Sequence, residues 1–165
     1  MGKCAQSTRF AGQPCIVQRL SAAKRSAGLL SLLIVQERRA GETRVAATPE
    51  TVRRLRGRGL SIQLERGAGL TAGYSDEDYA GAGAQLVDAN GESWRSTDAL
   101  LCVNAPEPER LSTLKSGALL LGLLNPYGAK ELVATLQERQ LSALALELLP
   151  RISRAQSMDV LSSQA

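Results

Sequence analysis

Six short apolar runs recur along the chain after residue 28, and polar stretches separate them. Several runs are apolar at successive positions instead of alternating, a pattern typical of strands that are buried on both faces of a parallel sheet. The pattern predicts strands at Leu29–Val35, Leu60–Leu64, Ala84–Val87, Ala99–Val103, Ala118–Leu124 and Leu141–Leu146.

Four of the intervening stretches carry helix signals. The first has Thr48 as an N-cap and Pro49 at the first helical position. Four helices are predicted. The first begins at Thr48 and is ended by Gly57 and Gly59, and the second begins at Ser75 and is ended by Gly81 and Gly83. The other two span Pro106–Leu114 and Ala129–Arg139. This alternation of strands and helices predicts a doubly wound α/β structure with a mostly parallel sheet, Rossmann-like or flavodoxin-like, in a single subdomain.

The composition fits one globular domain and excludes several kinds of chemistry. The 165 residues are 44% apolar and 22% charged, and no apolar run approaches the roughly 20 residues that span a bilayer. The chain has no histidine, which excludes His-based triads and His metal ligands within it. Because Cys4, Cys15 and Cys102 lack C-x-x-C spacing, we expect no metal site and no disulfide, as in a reducing compartment.

Positive charge is concentrated at the amino terminus. Residues 1–36 hold five basic residues and no acid, whereas residues 37–165 hold 15 basic and 16 acidic residues. Residues 1–28 show no sustained period and are predicted to be a basic, disordered extension, with a transit peptide as the alternative. The globular part, residues 29–165, lacks the charge of a nucleic-acid binder, so we expect no nucleic-acid partner.

A G-x-G-x-x-A pattern lies at residues 67–72, and Asp88 follows about 20 residues later, as in dinucleotide-binding folds. That fingerprint needs a helix that begins inside the glycine turn, so that the pyrophosphate meets the helix N-terminus. Here Gly73 and Tyr74 precede the predicted helix start at Ser75. We therefore predict a glycine-rich surface loop and not a dinucleotide site.

Three other segments concentrate polar groups. Residues 53–58 hold four arginines, which we interpret as a solvated helix face because no aromatic residues interleave with them. Residues 37–49 are rich in charge and follow the first strand, at the edge where open α/β sheets place ligands. Residues 150–163 combine arginines, a glutamine, an aspartate and hydroxyls that suit phosphate, carboxylate or amide groups. A capped helix with solvated charges is the alternative interpretation of this last segment.

The second and third of these segments resemble the alanine dehydrogenase/transhydrogenase N-terminal domain family, above all the NAD-binding alpha subunit of proton-translocating NAD(P) transhydrogenase. The string from Glu37 to Pro49 is similar to the start of that subunit, and Pro150 to Ser163 resembles its nicotinamide-side loop nearly word for word. Shorter matches follow in order at Glu65–Gly69, Tyr74–Asp76, Ala82–Ala84 and Val103–Pro106. The resemblance covers about residues 29–165.

The resemblance implies an NAD(H)-binding peripheral component made of two α/β subdomains. This chain would be the first, truncated before the subdomain that carries the true fingerprint. The residues implied in hydride transfer are Arg151, Gln156 and Asp159, and the residues implied in cofactor binding are Arg151, Ile152, Ser153, Arg154, Gln156, Asp159 and Ser162. Gln and Ser can bond a carboxamide, and Arg and Asp can orient the ring, while the cofactors exchange the hydride.

The same resemblance implies hydride transfer between NAD(H) and NADP(H), coupled to proton translocation. NADP(H) would lie on a partner component. The other implied partners are the fingerprint subdomain or a second alpha polypeptide, the membrane component, and a second copy in a homodimer. The assembly would be cytoplasmic and peripheral, on the inner face of the plasma membrane. We expect the chain alone to be inactive, to bind NAD(H) weakly and to self-associate.

Two alternatives stay open. The chain could be a non-catalytic interaction or dimerisation fragment of the family, or a fragment of an alanine dehydrogenase-like enzyme. In that enzyme the position of Arg44 holds the substrate carboxylate, a Lys lies near the position of Asn104, and a catalytic His lies downstream. This sequence has Asn104 and no His, which favours the transhydrogenase. It departs from the family pattern at Leu33–Glu37 and at the turn Pro126–Ala129.

Overall fold

The computed structural model describes residues 30–89 and 91–149, which form one open sheet covered on both faces. The strands are β1 (Leu30–Ile34), β2 (Leu60–Glu65), β3 (Gln85–Val87), β4 (Ala99–Asn104), β5 (Leu119–Leu123) and β6 (Ser142–Ala145). All strand pairs are parallel, in the order β3-β2-β1-β4-β5-β6. The predicted doubly wound α/β fold is confirmed, and every strand lies within one residue of its predicted bounds.

Five helices connect the strands within the described ranges. They are α1 (Pro49–Gly57), α2 (Asp76–Ala82), α3 (Gly91–Ser96), α4 (Pro108–Leu111) and α5 (Lys130–Glu138), with 3-10 turns at Leu70–Ala72 and Leu146–Leu148. The Thr48 side chain caps α1 by accepting a hydrogen bond from the Thr51 N–H at 3.3 Å. Ser75 and Asp78 form a capping box at the start of α2. The predicted starts of these two helices are confirmed.

Two of the helices differ from the sequence prediction. The predicted helix Pro106–Leu114 is only the four-residue α4, because the ring of Pro108 disfavours helical backbone at Glu107. After α4, the Leu114 N–H bonds to the Leu111 carbonyl in a tighter turn. Helix α3 is absent from the sequence prediction, and it brings Trp94 into the core.

Alternate residues of β1 contribute side chains to two apolar layers, one on each face of the sheet. Leu32 and Ile34 belong to the layer that α1 and α2 cover. Leu33 and Val35 belong to the opposite layer, which α3, α4 and α5 cover. β1 is therefore buried on both sides, as its unbroken apolar run predicts.

Gly122 in β5 is expected to tolerate no side chain. A Cβ added there would lie 2.6 Å from the backbone oxygen of Cys102 in β4 and 2.7 Å from its Sγ. Gly122→Ala should therefore lower the free energy of unfolding by about 1–3 kcal/mol, measured by urea unfolding. Gly81→Ala is the matched control, since no atom lies within 4 Å of its Cβ position in α2, and it should be neutral or stabilise by up to about 1 kcal/mol. Equal effects of the two substitutions would contradict the close approach of β4 and β5.

Candidate functional site

The carboxyl ends of β1, β4 and β5 enclose a cleft of about 370 Å³. The chain leaves β1 and β4 towards opposite sides of the sheet, and open α/β sheets bind their ligands at such a switch point. The cleft is lined by Val35–Arg39, Asn104–Glu107, Arg110 and Leu123–Asn125.

Glu37 fixes the carboxyl end of β4 from the neighbouring loop. Its carboxylate accepts hydrogen bonds from the backbone N–H groups of Val103 at 2.5 Å and Asn104 at 3.1 Å. The pairing of β4 with β5 shifts register between Leu101 and Asn104, so the sheet ladder is interrupted at this point. Glu37 supplies the acceptor that these N–H groups need.

Arg44 is paired with a carboxylate of its own loop. Its Nε and a terminal nitrogen lie 2.8 Å and 2.7 Å from the two Glu42 oxygens. Asn104 donates to the same carboxylate at 2.8 Å, and Arg39 donates to the Asn104 side-chain oxygen at 3.2 Å. The hydrogen bond from Arg44 outweighs burial and lowers the pKa of Glu42 to about 2. The Arg44 guanidinium is thus already matched to Glu42.

Glu42→Gln is expected to weaken the dependence of the free energy of unfolding on pH in the acid range. The pKa of Glu42 in the folded chain is about 2 and its ordinary value is 4.5, so its ion pair stabilises the fold above about pH 4.5 and is lost as the pH falls towards 2. Because the Arg44 side chain is half exposed, the loss at neutral pH should be on the order of 1 kcal/mol. Urea unfolding across this range should show the two proteins converging at low pH. A constant difference would contradict the ion pair.

A second polar cluster adjoins the cleft and is centred on a carboxylate with no solvent exposure. Glu65 ends β2 and accepts hydrogen bonds from the Gln36 N–H at 2.9 Å and the Trp94 Nε1 at 2.8 Å. The third donor is a terminal nitrogen of Arg110, at 2.6 Å. The Arg110 guanidinium also lies over the indole, 4.2 Å from the ring centre. The cluster ties β1, β2, α3 and α4 together beside the cleft.

Glu147 holds the end of β5 as Glu37 holds the end of β4. Its Oε1 accepts hydrogen bonds from the backbone N–H groups of Leu124 at 3.0 Å and Asn125 at 2.5 Å. Its Oε2 is buried and has no hydrogen-bond partner within the described part of the chain. Glutamates therefore hold the chain at three strand ends of this edge, since Glu65 does the same for Gln36, two residues past β1.

The residues predicted for the nicotinamide side lie outside the described ranges. They are Arg151, Ile152, Ser153, Arg154, Gln156, Asp159 and Ser162. The turn Leu146–Leu148, which precedes them in the sequence, follows β6 at the same carboxyl edge as the cleft. Their roles stay predictions, as does the disordered extension at residues 1–28, which also lies outside those ranges.

The glycine pattern at 67–72 does not open a helix, as predicted. Its last three residues, Leu70–Ala72, form a 3-10 turn, and the α-helix α2 begins only after Ser75. The prediction of a surface loop is wrong in part, because Ala68 and Gly69 are buried where the Tyr79 ring packs against Gly69. Among the described residues, no helix begins inside a G-x-G turn that could hold a pyrophosphate.

The remaining polar features give no further site. The four arginines of residues 53–58 are exposed, as predicted for a solvated face, and Arg54 pairs with Glu50. Cys102 is buried, and burial raises the pKa of its thiol. Within residues 30–89 and 91–149, no group of three or more Cys, Asp or Glu side chains could hold a metal ion. In the same ranges, no helix has the length and apolar character needed to cross a membrane.

The strand order and the switch-point cleft place this domain in the Rossmann-like class of open α/β structures. Comparison with known proteins narrows the class to a family. Residues 33–165 match the profile of the alanine dehydrogenase/PNT N-terminal domain, so the chain belongs to that family. The resemblance inferred from residues 37–49 and 150–163 is confirmed.

The chain is similar to transhydrogenase components and, at lower identity, to alanine dehydrogenase. It is 38% identical over 141 residues to an NAD(P) transhydrogenase subunit alpha protein of Rhodospirillum rubrum, a match that covers 82% of this chain and 37% of that protein. The solved transhydrogenase of Sinorhizobium meliloti matches with a TM-score of 0.76 and 37% identity, over 81% of this chain and 38% of that one. A solved L-alanine dehydrogenase matches with a TM-score of 0.67 and 32% identity, over 72% and 32%. The chain therefore spans about a third of the length of these relatives.

Proposed function

We propose that this chain forms the first α/β subdomain of the alpha subunit of an NAD(P) transhydrogenase. In this function it takes part in hydride transfer between NAD(H) and NADP(H), coupled to proton translocation. The observation that carries the proposal is the family match over residues 33–165 together with the similarity to the transhydrogenase subunit alpha protein. The match includes the polar segment 150–163, which comes after the last described strand in the sequence.

In this proposal the described residues form one side of an NAD(H) site. Glu37 and Glu147 hold the ends of β4 and β5, and this edge would support residues 151–162. Bound NAD(H) supplies the hydride. Gln156 and Ser162 would then hydrogen-bond the carboxamide of the nicotinamide.

The arginines and the aspartate of the same segment would set the orientation. Arg151 and Asp159 would orient each other and the nicotinamide ring, because a guanidinium and a carboxylate form a directional pair. Ile152, Ser153 and Arg154 would line the nucleotide beside them. No side chain of this set has to accept the hydride, so its contribution is geometric.

The pyrophosphate needs a second subdomain in this proposal. The glycine turn at 67–72 opens no helix, so the described residues offer no N-terminus for the phosphates. A fingerprint subdomain of the alpha subunit, or a second alpha polypeptide, would supply it. NADP(H) would lie on a partner component and the proton path in a membrane component. The alpha subunit would be a homodimer at the cytoplasmic face of the plasma membrane.

An alanine dehydrogenase-like enzyme is the second candidate, because a solved L-alanine dehydrogenase shares the fold at 32% identity. Two features at the carboxyl edge of the sheet weigh against it. Asn104 is a neutral amide that donates a hydrogen bond to Glu42. The guanidinium of Arg44 is paired with the same carboxylate. The sequence also contains no histidine to serve as a general acid or base.

An NADH titration tests the proposal. Calorimetry compares the full chain with a chimera in which residues 33–165 replace the matching segment of the Rhodospirillum rubrum subunit alpha protein. The chimera should bind NADH like its parent, and the full chain alone should bind weakly because its described residues offer no pyrophosphate turn. Tight binding by the chain alone, or none by the chimera, would contradict the proposal. NADH-dependent turnover of pyruvate and ammonium would support the dehydrogenase instead.

A further inference from the structure

Arg110 lines the cleft, and its guanidinium is held by Glu65 and Trp94. One terminal nitrogen donates to Glu65 at 2.6 Å, and the guanidinium carbon lies 4.2 Å from the ring centre of Trp94. The Arg110 side chain keeps 18% of its surface exposed, whereas Glu65 has none exposed. Pairing and stacking fix the side-chain conformation in advance, which lowers the entropy cost of presenting the other donors to a ligand.

The other donors of Arg110 have no acceptor in the described part of the chain, where only Glu65 accepts from its side chain. A guanidinium carries five N–H groups in a fixed fork, so several stay available. Arg110 lines two cavities, the cleft of about 370 Å³ and a smaller one of about 210 Å³ that Trp94 and Thr113 also line.

Further positive charge surrounds the same space. Arg38 and Arg39 line the cleft and are exposed. The acids of the lining are less available to them, because the Glu37 carboxylate is held by backbone N–H groups of β4 and Glu107 is solvated. The cleft therefore presents guanidinium donors that no described carboxylate beyond Glu65 satisfies.

We infer that the Arg110 side of the cleft binds a small oxyanion, the phosphate or carboxylate group of a diffusible ligand. Arg110 supplies oriented hydrogen bonds, and Arg38 and Arg39 add charge. Because Glu65 offsets part of the Arg110 charge, the affinity is modest, with a dissociation constant on the order of 1 mM. The site uses no residue of 151–162 and needs no dinucleotide, so it stands apart from the proposed function.

The indole signal of Trp94 provides the test, since Trp94 is the single tryptophan of the chain and shares the Glu65 acceptor with Arg110. Inorganic phosphate and acetate are titrated separately into the full chain, against sodium chloride of equal ionic strength, and followed by ¹H–¹⁵N NMR. A saturable shift of the indole signal beyond the chloride effect is expected, and the anion that produces it distinguishes phosphate from carboxylate chemistry. A shift no larger than that of chloride for both anions overturns the inference.

Variants localise the response. Arg110→Met should weaken the apparent affinity at least tenfold, whereas Arg54→Met, which removes an exposed guanidinium of α1, should leave it unchanged. The same spectra report whether each variant is folded. If Arg110→Met does not fold because Glu65 loses its cation, Arg110→Lys keeps a cation beside Glu65 but removes the guanidinium fork, and the apparent affinity should fall as well. A saturable shift of unchanged affinity in a folded variant without Arg110 overturns the inference.

Discussion

Replacing Glu65 by alanine is expected to lower the free energy of unfolding by about 3–5 kcal/mol. The side chain is fully buried and serves three donors, on Gln36, Trp94 and Arg110. Its removal leaves a largely buried guanidinium without a counter-charge and two N–H groups without an acceptor. Each buried donor left unpaired costs about 1–3 kcal/mol, so these losses dominate any gain from removing a charge.

Urea unfolding of the full chain measures this loss. Glu50→Ala is the matched control, because it also deletes the glutamate of an arginine pair but on the exposed surface of α1. The control should change the free energy of unfolding by about 0.5 kcal/mol or less. Similar losses in the two variants would mean that the buried cluster does not form.

Gln156→Ala and Asp159→Ala are expected to slow hydride transfer in the chimera on the order of a hundredfold, with little change in thermal stability. Both residues are polar and belong to the segment that comes after the last described strand in the sequence, and polar side chains are seldom the residues that fill a core. Their proposed contribution is geometric, and misplacing the nicotinamide by about 1 Å costs about that factor in rate. The same reasoning applies to Arg151→Ala.

Stopped-flow measurement of hydride transfer, paired with a thermal melt, separates a catalytic role from a structural one. Arg53→Ala is the control, since it removes an exposed arginine of α1 that does not line the cleft. It should leave both the rate and the melting temperature unchanged. A sharp fall in melting temperature with unchanged turnover per folded molecule would show that Gln156 and Asp159 are structural.

The strands can be predicted from the sequence because the central ones are buried on both faces. β1, β4 and β5 are nearly continuous apolar runs, and no alternating pattern competes with that interpretation. Helix α3 escapes prediction because six residues are too few for a period of 3.6 to appear. The packing of Trp94 into the core stabilises α3, and the local sequence does not reveal that contact.

The cleft can be predicted only in part. The density of charge between β1 and α1 signals an unusual loop, and Glu37, Glu42 and Arg44 do contribute contacts there. The pair of Glu65 and Arg110 joins residues 45 positions apart, and it depends on strand order that hydropathy does not reveal. Glu147 likewise reaches the end of β5 only because β5 and β6 are neighbours. The local signal that could have identified Glu65 as a site residue is its position as a glutamate at the end of an apolar strand.

Hydride transfer by the chimera tests the central claim most directly. The chimera that carries residues 33–165 is combined with the membrane and NADP(H)-binding components of a transhydrogenase, and hydride transfer between NAD(H) and NADP(H) is followed. The predicted result is transfer within about tenfold of the parent enzyme, lost on Asp159→Ala. A folded chimera that binds NADH and assembles with its partners but transfers no hydride would contradict the claim, and it would leave a non-catalytic interaction fragment as the function of this chain.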